Sequence, residues 1–178
     1  MMNSLAAGTG LDAIMQIAWV TPDIERSLGD FKKLYRIEDF YRMDLEFPAE
    51  VFGESGQMKL KMALVNVDNI QLELIEPNGG IDRIYRDVLP SAGHHANMLH
   101  HVCIKIEGTL SDWDDHVANL EPTRRIVYVG DAGPDVRFIY TDDRSTLGIY
   151  VEHLWRSPEV DAAMAEAVPT YVAGRKRF

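Results

Sequence analysis

Short runs of alternating apolar and polar residues follow one another along this chain, and their order repeats. Residues 14–20 (Ile14-Met15-Gln16-Ile17-Ala18-Trp19-Val20) alternate with the period of a strand. Thr21-Pro22-Asp23 then supplies a helix start with proline at the first helical position. Ile24, Leu28, Phe31 and Leu34 give that helix one apolar stripe. A second strand is predicted over 37–47. The stretch 48–57, with Pro48, Gly53, Ser55 and Gly56, reads as a loop long enough to be functional or mobile. Two further strands, 58–67 and 70–76, meet at the turn Val67-Asp68-Asn69. Pro77-Asn78-Gly79-Gly80 closes this unit, and 81–89 reads as a connecting helix.

The same order then recurs. Residues 99–106 alternate as a strand, and Ser111-x-x-Asp114 resembles a capping box that opens a helix with Leu110, Trp113, Val117 and Leu120 on one face. Glu121-Pro122 ends that helix, and strands are predicted near 124–129, 136–142 and 147–154. A last helix over 158–168 and the basic tail Arg175-Lys176-Arg177 stand outside the repeat. The chain therefore reads as α+β, with two tandem βαβββ modules at 12–80 and 99–156. A connecting helix and loop (81–98) joins them, and a C-terminal helix and tail (157–178) follow. Curved mixed sheets from the two modules would enclose a cavity.

Strand parity gives that cavity a chemistry. Successive side chains on a strand point to opposite faces. Ile17 and Trp19 therefore oppose Gln16, Ala18 and Val20, and Leu72 and Leu74 oppose Gln71, Glu73 and Ile75. In the second module Val102, Ile104 and Ile106 oppose His101, Cys103 and Lys105, while Ile149 and Val151 oppose Tyr150, Glu152 and Leu154. The apolar face of each sheet is the seat for its helix. The other face carries one candidate ligand per strand: Gln16, Glu73, His101 and Glu152. Two carboxylates held together on an inner face would repel and raise each other's pKa unless a cation offset them. With a neutral amide and imidazole beside them they balance a divalent charge. Ligation by nitrogen and oxygen without thiolate suits Zn first, with Ni, Co, Mn or Fe(II) as alternatives.

Bulk properties narrow the partners. The formal net charge of -10 over 178 residues argues against nucleic acid and against an anionic membrane surface. No run approaches the length of a membrane span. Cys103 is the single cysteine, so no intrachain disulfide forms, and a reducing cytoplasm is the expected location. Among the remaining residues, His100 is expected to face the helix side or an edge, for packing or a hydrogen bond. His94-His95 reads as a solvated loop pair, His153 as structural, and Cys103 and Trp19 as packing. Lys105, Arg83, Arg86 and Arg144 read as solvated, and Phe40, Tyr41, Phe138, Tyr140, Tyr150 and Trp155 are candidates for cavity wall or core.

The repeat, the four ligand positions and the fragments Trp19-Val20-Thr21-Pro22-Asp23, Leu74-Ile75-Glu76-Pro77 and Leu99-His100-His101 resemble the vicinal oxygen chelate superfamily, over roughly residues 12–155. The order Gln, Glu, His, Glu is similar to the site of glyoxalase I, and the fragments look more like methylmalonyl-CoA epimerase. Gln16 departs from the histidine usual at that epimerase's first position, and the glutathione-binding arginines of glyoxalase I have no match. The resemblance implies a metal-dependent isomerase or lyase acting on a small molecule with adjacent oxygens or a carbonyl. Glu152 would be the base and Glu73 the opposing carboxylate, or both would serve purely as ligands, and a homodimer is implied. Two other activities fit the same fold. One is ligand sequestration of the bleomycin-resistance type, and the other an extradiol-type dioxygenase, which Gln16 in place of a histidine disfavours.

Overall fold

Eight strands close into one barrel in the computed structural model, which describes residues 14–120 and 124–172. The first unit comprises β1 (Ile14–Val20), α1 (Ile24–Tyr35), β2 (Tyr41–Val51), β3 (Glu54–Val67) and β4 (Ile70–Gly80). After the short helix α2 (Arg83–Arg86), the second comprises β5 (Met98–Lys105), α3 (Leu110–Leu120), β6 (Ile126–Asp131), β7 (Val136–Asp142) and β8 (Tyr150–Arg156). Helix α4 (Pro158–Ala167) and the two-residue strand β9 (Thr170–Tyr171) follow. The strand order is β2-β6-β7-β8-β5-β1-β4-β3, and β3 pairs back to β2, so the ring has no open edge among these eight. β1 joins β5 and β2 joins β6, both antiparallel, while β1–β4 and β5–β8 are parallel. The cavity is thus enclosed by one chain.

The helices sit outside, on the apolar faces that parity assigned to them. Ile24 and Phe31 of α1 pack on Ala63, Val65 and Leu74, with Trp19 at the margin. Trp113 and Leu120 of α3 pack on Ile139 and Trp155. A helix as short as α1 is marginal alone, and its stability comes from this burial, about 1.5–3 kcal/mol for each large apolar side chain. Asp23 is its N-cap, accepting from the Arg26 amide at 3.0 Å, so Pro22 lies ahead of the helix and not in its first turn. Arg36, in the left-handed region at φ 60°, ends it.

Several local expectations are corrected. The predicted loop 48–57 is a continuous hairpin. β2 and β3 stay in register from Tyr41↔Leu64 to Val51↔Glu54, and a two-residue turn, Phe52-Gly53, joins them with φ of 52° and 81°. Both turn residues have positive φ, as a type I′ hairpin requires, and phenylalanine there gives no sequence signal. Gly56 lies inside β3, paired with Ala49, and a Cβ on it would meet Ile81 Cγ2 at 2.7 Å. Pro48 precedes Ala49, where β6 first joins β2, a position at which a strand tolerates proline. The capping box of α3 is Thr109-x-x-Asp112 rather than Ser111-x-x-Asp114: Asp112 Oδ2 accepts from the Thr109 amide at 2.7 Å, and Thr109 Oγ1 accepts from the Asp112 amide at 3.3 Å. The predicted helix over 81–89 shortens to one turn, and β8 runs two residues beyond its predicted end at 154. Glu121-Pro122 and the tail Arg175-Lys176-Arg177 lie outside the described residues.

Candidate metal centre

Ala18 fixes the height of the site on the barrel wall. It pairs with Glu73 on one side and with His101 on the other, and as a small, fully buried residue it leaves room between them. One step along β1, Gln16 pairs with Gln71 and Cys103, and Cys103 pairs with Glu152. Glu73, His101 and Glu152 converge: their donor atoms all lie within 4.8 Å of one another, and all three residues are buried. His101 Nε2 stands 3.3 Å from Glu73 Oε2 and 3.2 Å from Glu152 Oε2. Gln16 is on the same cavity wall, but its amide nitrogen donates to Gln71 Oε1 at 2.9 Å, so only its oxygen is left to face an ion.

A bulge decides how the two adjacent histidines are used. The register shifts from Ala18↔His101 to Trp19↔Leu99, so His100 is the extra residue on β5. Strict alternation predicted that His100 would face outward; instead it is buried among Tyr85, Tyr140 and Tyr150. Its Nε2 lies 3.0 Å from the Ile84 carbonyl, which can only accept, so Nε2 carries the proton. Burial, then the neighbouring His101, holds the His100 pKa well below the usual histidine value, so the ring is neutral and Nδ1 accepts. His101 Nδ1, 2.9 Å away, must therefore donate to it. In the neutral His101 the lone pair then sits on Nε2, facing both carboxylates. This is how a ligating histidine is oriented by an outer partner.

The charges suit a cation. Burial alone would lower the His101 pKa, but the hydrogen bonds and charges of Glu152 and Glu73 override it and raise it to about 9. Burial pushes the Glu73 carboxyl up, and its contact with His101 pulls it back only in part. One imidazolium proton thus faces two buried carboxylates, and the donor set fits a divalent ion in its place. The second layer is aromatic: Tyr140 Oη lies 3.3 Å from His101 Nε2 and 2.9 Å from Tyr85 Oη.

His101 itself is fully buried, while Gln16, Glu73, Glu152, Tyr85 and Tyr140 line a cavity of about 210 Å³ with further walls from Met43, Leu45, Phe47, Met62 and Phe138. Of the aromatic candidates, Phe138 and Tyr140 line it, while Phe40 packs on Phe31 outside the barrel and Trp155 lies under α3. Phe47, Tyr85, Tyr128 and Arg156 were not singled out from the sequence. Arg156 continues the inward parity of Tyr150, Glu152 and Leu154, and Tyr128 pairs with Tyr140. Cys103 is buried in the core, its thiol pushed well up by burial and then by Glu152 and Glu73, which keeps it neutral. His94 is exposed, but His95 is nearly buried against Ser27 Oγ at 3.4 Å, which corrects the solvated pair. Lys105 pairs with Asp161 at 2.6 Å. His153 is structural: Nδ1 meets His116 Nε2 at 2.8 Å and Nε2 meets Thr141 Oγ1 at 3.2 Å.

Residues 15–140 match the family model described as Glyoxalase/Bleomycin resistance protein/Dioxygenase superfamily, more than half of the chain. The chain belongs to this superfamily. The match spans Gln16, Glu73 and His101 and stops short of Glu152. No curated protein matches the chain. Among solved structures it is similar to a variant Streptomyces coelicolor methylmalonyl-CoA epimerase in complex with 2-nitronate-propionyl-CoA, with 19% identity, a TM-score of 0.53, and coverage of 82% of this chain and 95% of that one. It is also similar to a methylmalonyl-CoA epimerase in complex with methylmalonyl-CoA and NH4+ (17% identity, TM-score 0.51, 82% and 95% covered). A third likeness is to methylmalonyl-CoA epimerase from Mycobacterium tuberculosis (12% identity, TM-score 0.50, 88% and 96% covered). At these identities the likeness is one of fold, which the superfamily shares across several chemistries.

Proposed function

We propose that the chain is a metal-dependent isomerase or lyase that moves a proton on a carbon next to a carbonyl. The observation that carries this is the buried convergence of Glu73, His101 and Glu152, with both carboxylates on the wall of a largely apolar cavity. Gln16, Glu73, His101 and Glu152 would hold one divalent ion, Zn first and Ni, Co, Mn or Fe as alternatives. When bound, the ion would polarise the substrate's carbonyl oxygen as a Lewis acid and so acidify the adjacent C–H.

The protein's own groups supply the rest. Glu152 would take the proton from carbon, leaving the substrate as an enolate, and Glu73 would return a proton from the opposite side; a carboxylate is a competent base once the carbon is acidified. His100 holds His101 in the tautomer that presents Nε2. The apolar wall excludes water from the reacting carbon. All four ligand positions lie in one chain, so the homodimer implied by the resemblance would not be needed to complete the site. A reducing cytoplasm suits the free thiol of Cys103. Among the described residues no helix is long and apolar enough to cross a membrane.

Exchange with solvent tests the reaction. α-Ketoaldehyde hemithioacetals, acyl-CoA epimers and 2-oxo acids are incubated with metal-loaded protein in D2O, and deuterium at the acidic carbon is followed by NMR. Metal-dependent exchange with at least one class is expected, falling about 10²–10⁴-fold in Glu152→Gln. Tight binding with no exchange would instead support sequestration of the bleomycin-resistance type.

A further inference from the structure

The cavity has a second polar end that proton transfer at Glu152 does not use. Arg156 lies on the inner face of β8, four residues beyond Glu152, which is about 13 Å along the strand at ~3.3 Å per residue. It lines the cavity, and its side chain is only 12% exposed. Arg156 is the one cationic residue of the lining among the described residues, opposite the carboxylates Glu73 and Glu152. Its Nε donates to Asp161 Oδ1 on α4 at 2.8 Å, which fixes the guanidinium plane. Asp161 is not devoted to it, because Lys105 Nζ also reaches that carboxylate at 2.6 Å. The rest of the guanidinium fork offers further N–H donors of the geometry that suits a carboxylate.

Between the two ends the wall is apolar, from Leu45, Phe47, Phe138 and Leu154. The cavity therefore presents a polar end, an apolar waist and a cationic end. Its volume of about 210 Å³ corresponds to roughly seven waters at ~30 Å³ each, enough for a small diacid.

We propose that the ligand is a small carbonyl compound with a second, anionic group several bonds from the reacting carbon, and that Arg156 binds that anion as a carboxylate. This rests on the proton-transfer reading above, and it makes Arg156 the residue that selects dianionic over monoanionic substrates.

The test is a calorimetric titration of metal-loaded, full-length protein with 2-oxoglutarate and with 2-oxopentanoate. The two probes share the 2-oxo acid head and differ in the distal carboxylate. Metal content is measured on the same samples. Wild type is expected to prefer 2-oxoglutarate roughly 10- to 100-fold. Arg156→Met should abolish that preference while leaving 2-oxopentanoate affinity and metal content unchanged. Arg156→Lys, which keeps the charge without the fork, should retain part of it, and Asp161→Asn should weaken it. Equal affinities in wild type, or a preference that survives Arg156→Met, would overturn the proposal. If wild type holds no metal, the metal-centre reading fails separately, and the arginine-dependent preference in the same titrations still decides this one.

Discussion

His101 touches two carboxylates through Nε2 and a neutral histidine through Nδ1, and these contacts set what it can bind and when. Without metal its raised pKa, about 9 against an ordinary 6.5, means that folding takes up a proton there. The stabilisation from that imidazolium is fully present below pH 6.5 and is lost as pH rises through about 9. Urea titrations of metal-free protein between pH 6 and 10 should show stability falling over that window, with the fall reduced in His101→Gln. His153 has the opposite sign. Burial, then His116 and Arg124, lowers its pKa to about 3, so its contribution is present above 6.5 and declines as pH falls towards 3. His100 acts on the metal through His101. Its replacement by phenylalanine keeps the aromatic packing but removes the acceptor at Nδ1, and competition titration should show metal affinity lower by about 10–100-fold. Unchanged affinity would mean that the tautomer is not set by this contact.

At the scale of elements, the barrel wall is close-packed where β6 and β7 pair. Gly130 lies opposite Phe138, and a Cβ there would enter the phenylalanine ring. Gly130→Ala should therefore destabilise by about 1–3 kcal/mol in thermal or urea unfolding, through overpacking rather than loss of a contact. The elements also show how far the sequence could be read. Period-2 alternation assigned Gln16, Glu73, His101 and Glu152 to inner faces, and for His101 the assignment holds although its strand carries a bulge one residue earlier. It could not place His100, because nothing in Leu99-His100-His101 marks the bulge that turns both rings inward. Nor could it see the Phe52-Gly53 turn, where one residue lacks the turn chemistry that a type I′ hairpin usually shows. Tyr128 and Arg156 follow the correct parity, but a tyrosine or an arginine at a strand position carries no signal until closure of the barrel shows what it faces.

For the whole molecule, barrel closure through β1–β5 and β2–β6 means that a single chain encloses the cavity and supplies every candidate ligand. A net charge of -10 surrounds that cavity, so a divalent cation is attracted at long range while an anionic ligand depends on local positive charge inside. Metal stoichiometry should accordingly be set per chain and be the same at any oligomeric state. The decisive measurement is the metal content of protein purified without a histidine tag, by elemental mass spectrometry, on wild type and on His101→Ala. The geometry predicts about one tightly held divalent ion per chain in wild type and its loss in the variant. No metal in wild type even after reconstitution, or an equal content in His101→Ala, would contradict the metal centre and leave a polar-lined barrel suited to binding alone.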